Sequence, residues 1–152
     1  AVLHWIPRPE ATLQGVYRAL KPQGRFVAEC GGDGCVAKIR EALAASLSAR
    51  GLDYQALDPW YFPTAEEYRL RLEASGFEVS EIRVLPRPTP LPGEMKGWLE
   101  TFAVVFLKAL PESEREAFLA ETQERLRGTQ CNADGSWWAD YTRLRFKAVK
   151  RA

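Results

Sequence analysis

The chain has 152 residues, 46% apolar and 27% charged, which places it among ordinary globular proteins and makes it long enough to bury a core. Lys and Arg number 21 against 20 Asp and Glu, a net charge of +1, so no basic excess points to nucleic acid. No apolar run approaches the roughly 18–20 residues of a membrane helix, no signal-peptide pattern opens the chain, and three cysteines do not make a disulfide framework. The expectation is therefore a cytoplasmic protein with no membrane association, whose Cys30, Cys35 and Cys131 are structural thiols. A metal site is not expected, since His4 is the only histidine and lies far along the chain from all three cysteines.

Residues 2–6 (Val2, Leu3, His4, Trp5, Ile6) read as the end of a buried strand, and position 1 is not Met. Together these suggest a truncated or processed piece of a longer protein. Pro9 and Glu10 then open a helix carrying Leu13, Val16, Tyr17 and Leu20, stopped by the turn Lys21-Pro22-Gln23-Gly24 with Gly24 supplying a positive φ. Residues 25–30 form a strand, 31–34 a glycine loop, and 35–50 a second helix with Val36, Ile39, Leu43 and Leu47 on one face, ended by Gly51. The aromatic, Pro-containing stretch 52–63 reads as a packed loop. Thr64, Glu66 and Glu67 start a short helix that Gly76 stops. Residues 77–84 alternate as a half-buried strand, and Pro86, Pro88, Pro90 and Pro92 then forbid regular structure. The spacing predicts one long helix over 94–110, a break at Pro111, a more polar helix over 112–127, a loop over 128–135 and a final strand over 137–149. Helices alternating with strands imply an α/β sheet with helical cover.

Gly32-x-Gly34-x-x-Ala37 follows a strand and opens a helix, which matches the dinucleotide fingerprint, and Asp53 lies near the position of a ribose-binding acid. A true fingerprint needs a second parallel strand carrying that acid, and the stretch after Gly51 has no strand-like apolar run. A flexible strand-to-helix loop is the simpler account, and an NAD-linked oxidoreductase fragment is the alternative.

Three segments carry a family resemblance in order. Val2-Leu3-His4-Trp5-Ile6 is followed by Pro9-Glu10, then Leu20-Lys21-Pro22-Gln23-Gly24-Arg25-Phe26, then Ala74-Ser75-Gly76-Phe77 ahead of a strand. Together they resemble the class I methyltransferases that use S-adenosyl-L-methionine (SAM), especially the trans-aconitate methyltransferase-like members. Gln23 stands where the family pattern has the first Gly of its turn, a change tolerated if position 23 needs no positive φ. The resemblance implies a partial Rossmann-like methyltransferase sheet. Residues 1–152 would be the C-terminal part of the domain, supplying the end of strand four and strands five to seven with a reversed last hairpin. The N-terminal SAM-binding half would be absent, so the chain alone is expected neither to bind SAM tightly nor to turn over.

By the same resemblance Val2, Leu3 and His4 line the cofactor side, with His4 a candidate to take a proton from the methyl acceptor. The bland account of His4 is a satisfied polar group at a strand end, and Trp5 is expected in the core. Trp60, Tyr61, Trp98, Phe102 and Trp138 could wall a pocket for a small-molecule methyl acceptor, or simply be core. Arg87, Arg143 and Arg145 could hold an acid, or form a solvated face. The exposed sheet edge left by missing strands is expected to drive self-association. A non-catalytic interaction module built on Trp60, Tyr61, Phe62 and Trp98 is the alternative from a different class.

Overall fold

The computed structural model describes residues 2–151. In chain order the elements are one turn of 3-10 helix (Leu3–Trp5), α1 (Pro9–Ala19), β1 (Arg25–Gly31), α2 (Ala37–Ser48), α3 (Tyr54–Leu57), α4 (Ala65–Ala74), β2 (Phe77–Pro86), β3 (Thr89–Pro90), α5 (Met95–Phe102), α6 (Val104–Lys108), α7 (Glu112–Gln130), β4 (Trp138–Ala139) and β5 (Thr142–Lys150). They fall into two compact units. One holds the chain up to Cys35, Trp60–Arg87 and the residues from Tyr141 onward; the other holds Val36–Pro59 and Pro88–Asp140.

The first unit is a three-stranded sheet in the order β1-β5-β2, with β5 antiparallel to both neighbours. Strand period two decides its faces. Phe26, Ala28 and Cys30 of β1 and Leu144, Phe146 and Ala148 of β5 point to one side. There they pack with Leu13 of α1, Tyr68 and Leu72 of α4, and Phe77. Phe77, Leu13, Leu72 and Leu144 are fully buried, each contributing about 1.5–3 kcal/mol by area. The expected alternation of residues 77–84 slips once: a bulge between Val79 and Glu81 lets Val79, Ile82 and Val84 all reach the core side. α4 starts as its sequence predicts, with Thr64 Oγ1 accepting from Glu67 N–H at 3.1 Å and Glu66 and Glu67 in the first turn.

In the second unit α2 packs on α7, and Ile39, Leu43 and Leu47 of α2 and Phe118, Leu119 and Leu126 of α7 are all buried. Arg50 ties the pair, donating to Glu121 Oε2 and to Ser46 O, both at 2.8 Å. A two-stranded ribbon of β3 and β4 completes the unit.

Several expectations are corrected. Residues 2–6 are not a strand end. No strand among the described residues pairs with them, and Trp5 N–H instead donates to Val2 O at 2.9 Å, closing a 3-10 turn. Trp5 is 38% exposed rather than core. The single strand expected over 137–149 is two strands in two sheets, and the proline stretch after Pro86 contains the ribbon strand β3. The long helix over 94–110 breaks at Ala103 (φ −98°, ψ 22°), and α7 runs to Gln130 where a loop was expected. The 52–63 stretch contains α3.

The turn before β1 also differs. Gln23, not Gly24, takes the left-handed conformation, at φ +62°. Gly24 is required for room instead, since a Cβ there would sit 2.7 Å from Lys21 O. The Gln23 N–H donates to Lys150 O at 3.1 Å, which holds the residue in place against its preference. Replacing Gln23 by Gly should therefore stabilise the protein by about 0.5 kcal/mol or more, read as a higher urea midpoint at unchanged m-value.

Candidate functional site

Ligands of α/β sheets bind outside the carboxyl ends of parallel strands. In the first unit β1 and β2 run parallel to one another on either side of β5, and their carboxyl ends are Gly31 and Pro86. Gly31 is the point around which this end is built. A Cβ at position 31 would lie 2.4 Å from Phe62 Cε1, so only glycine lets the Phe62 ring close over the strand. The Gly31 N–H donates to His4 Nδ1 at 3.0 Å, and the His4 ring lies 5.4 Å from the Phe62 ring. Tyr61 N–H donates to His4 O at 2.9 Å, locking the 3-10 turn to the 60–62 segment. Trp60 continues the row of rings, 6.0 Å from Phe62 and 5.8 Å from Trp5.

His4 is 8% exposed, and its pKa is lowered to about 4, first by burial and then by the charge of Arg143. At neutral pH it is an uncharged imidazole. Because Nδ1 accepts from Gly31, the ring proton sits on Nε2. The side chain thus offers a donor at Nε2, and taking a proton there would require the opposite tautomer and loss of the Gly31 bond.

The structure divides the other expected site residues between the two units. Val2 is exposed, Leu3 is half-buried against the core, and Tyr61 is tied down, its hydroxyl donating to Glu67 Oε1 at 2.8 Å. These and Trp60 belong to the first unit. Trp98 (buried), Phe102 (38% exposed) and Trp138 (half-buried in β4) belong to the second, with the Trp98 and Phe102 rings 5.1 Å apart.

The glycine loop does not form a dinucleotide site. The amides of Gly32, Asp33 and Cys35 are committed to Thr142 O, Pro63 O and Gly32 O, and those of Val36 and Lys38 to Asp140 O and Asp140 Oδ2. Those donors are the ones a pyrophosphate would need. Asp53 caps α3, accepting from Gln55 N–H at 2.9 Å, and no strand follows α2 directly. Asp140 was not singled out by sequence. It sits 102 residues from Lys38, and the N-cap residue of the helix it caps, Val36, has φ +48°, a strained value for a β-branched residue. Phe62 was singled out by sequence only for a partner-binding module; the adjacent Gly31 and Gly32 at a strand end were the available signal of its close approach to the strand.

Among the described residues no group of histidine, cysteine and carboxylate side chains could hold a metal ion, and no helix is long and apolar enough to cross a membrane. Cys30 and Cys35 are buried, and burial pushes the Cys30 thiol up to about 11, which leaves it unreactive.

The depressed His4 pKa fixes the sign of its effect on stability. The unfolded chain takes up the proton first, so this contribution is complete above about pH 6.5 and is lost as the pH falls toward 4. The loss should total no more than about 3 kcal/mol, read as a falling urea midpoint that is flattened in His4→Asn, while the one histidine ring signal titrates near pH 4.

No protein-family model matches the chain. It is 37% identical over 157 residues to an uncharacterized methyltransferase of Schizosaccharomyces pombe, a match covering 99% of this chain and 60% of that protein. Two solved structures share its fold. One is a Bacillus halodurans C-125 protein described as a methyltransferase (TM-score 0.53, 15% identity, 99% of this chain and 61% of that one). The other is the YcgJ protein of Bacillus subtilis (TM-score 0.51, 15% identity, 99% and 61%). The chain spans about 60% of the length of the curated relative it matches, and along essentially its whole own length it is similar to a methyltransferase.

Proposed function

We propose that this chain is part of a SAM-dependent methyltransferase acting on a small molecule. The observation that carries the reading is the 37% identity to a methyltransferase across 99% of the chain. The sheet supports it: β2 and the last strand β5 pair antiparallel, as a reversed last hairpin requires. The trans-aconitate methyltransferase-like subtype rests only on the motifs at 2–6, 9–10 and 20–26.

SAM, when bound, supplies a methyl group already activated on a sulfonium, so alignment and water exclusion are the protein's main tasks. Leu3 and His4 fit the neighbourhood of such a cation. An imidazolium would repel a sulfonium, and burial keeps His4 uncharged. On this reading His4 holds an acceptor oxygen or nitrogen through its Nε2–H, a positioning role in place of the expected proton removal. Trp60, with Trp5 beside it, offers a flat apolar surface on the first unit, and Trp98, Phe102 and Trp138 offer one on the second.

Incubating the full-length protein with methyl-labelled SAM and a panel of small hydroxyl, amine and carboxylate acceptors should transfer label in a reaction inhibited by S-adenosylhomocysteine. Absence of inhibitable transfer across the panel, with SAM binding also undetectable by calorimetry, would count against the assignment.

Self-association is part of the same proposal. Among the described residues β1 pairs only with β5, so its other edge, apart from the Gly31 N–H held by His4, has no strand partner. Light scattering should show a mass that rises with concentration, and a monomer throughout would exclude it.

A further inference from the structure

The face of the first unit's sheet opposite its core carries Glu29 on β1 and Arg143 and Arg145 on β5, with Arg87 just past β2. Register gathers them: Arg145 lies across from Glu29, Arg143 across from Gly31, and Arg87 N–H donates to Tyr141 O at 2.7 Å. With Leu85 and Pro86 they line a small cleft of about 210 Å³ at the carboxyl ends of β1 and β2.

Three guanidinium groups face one carboxylate there. Glu29 Oε1 accepts from Arg87 at 2.7 Å and Oε2 accepts from Arg145, and these partners, Arg145 first, hold the Glu29 carboxyl below its usual range. Arg143 is the most loosely held of the three, in a long ion pair with the same carboxylate. Its Nε is 3.8 Å from Glu29 Oε1, beyond hydrogen-bond distance, and its guanidinium lies over the Tyr141 ring at 4.4 Å. It donates no hydrogen bond to any described residue, although its side chain is only 18% exposed. A guanidinium that has lost most of its water and gained no acceptor is costly. A guanidinium seated over an aromatic ring still carries N–H donors that a planar oxyanion can take. The charge of Arg143 also reaches His4 and lowers its pKa.

We propose that Arg143, flanked by Arg87 and Arg145 and oriented by its stack on Tyr141, binds one small oxyanion, the carboxylate or phosphate group of a small molecule, in this cleft. Glu29 acts as the spacer that holds the two flanking arginines and leaves the Arg143 fork open. The cleft has room for one such group, and two parallel N–H donors match a carboxylate or phosphate edge.

The test titrates the full chain with inorganic phosphate and, separately, with succinate at low ionic strength, where the pairing is least screened. Arginine Nε–H and His4 ring signals are followed by NMR. Saturable binding is expected, with the Arg143 signal moving and the His4 midpoint rising from about 4 as the neighbouring positive charge is neutralised. Arg143→Gln should weaken binding at least about tenfold and raise the His4 midpoint without any anion. Arg143→Lys should keep part of the affinity, and Arg18→Gln, exposed on α1, should keep all of it. Tighter binding of phosphate or of succinate identifies which oxyanion the cleft prefers. The proposal is overturned if neither anion saturates, or if a folded Arg143→Gln protein binds as the parent does. SAM and methyl transfer play no part in the readout, so the result stands apart from the fate of the assigned activity.

Discussion

The two-sided pairing of β5 is the constraint from which the first unit follows. One strand, antiparallel to β1 on one side and to β2 on the other, joins chain segments separated by more than a hundred residues. Its period-two alternation sends Leu144, Phe146 and Ala148 into the core and Arg143, Arg145 and Lys147 to the opposite face. A slip of one residue would exchange the two sets, placing arginines among phenylalanines. The ends of the strand pin the flanking turns. Lys150 exchanges backbone bonds with Gly24 and Gln23, and its ammonium donates to Tyr17 O and Leu20 O at the end of α1. At the other end the Thr142 hydroxyl lies 2.7 Å from Asp33 O and 3.0 Å from Gly32 O, holding the loop after β1.

That register also decides the chemistry of the strand ends. Gly31 has no side chain, so Phe62 settles on it, the His4 ring lies tilted against Phe62, and the Gly31 N–H donates to His4 Nδ1. The neutral state of His4 and the position of its proton are thus consequences of one missing Cβ and one backbone amide. Directly across the ladder, Arg143 is brought to the same strand end with too few acceptors. A neutral donor suits the vicinity of a sulfonium, and an under-satisfied guanidinium suits an anion.

The second unit is organised by capping and by arginine. Asp140 receives the amides of Val36 and Lys38 at the start of α2, whose N-cap Val36 takes a left-handed backbone unfavourable for valine. Arg40 donates to Tyr54 Oη at 2.9 Å and to Asp58 Oδ2 at 2.8 Å, fastening α3 to α2, while Arg50 fastens α2 to α7. Half-buried arginines with two or more acceptors are common fasteners because the planar fork satisfies several partners at once.

Much of this was legible in the sequence. The helical spacing of Leu13, Val16 and Tyr17, the cap Thr64 with Glu67, the strands near 25–31 and 77–86, and the stop at Gly51 are local signals, set within a few residues by backbone preference and side-chain period. The order of the family motifs pointed to the methyltransferase likeness, since those motifs encode turns whose chemistry is local too. Three expectations were beyond such signals. Residues 2–6 have strand-like composition, yet a strand exists only where a partner supplies its hydrogen bonds, and here they close a 3-10 turn. Gln23 takes a conformation that glycine prefers because Lys150, at the far end of the chain, receives its N–H. Whether Arg143 was a solvated charge or an unsatisfied one depended on where Glu29, Arg87 and Arg145 lay. Local pattern determined which segments would be helix or strand. Only the tertiary structure decided which groups met at the strand ends, because burial, protonation and hydrogen-bond satisfaction belong to neighbours brought together by register and not by sequence.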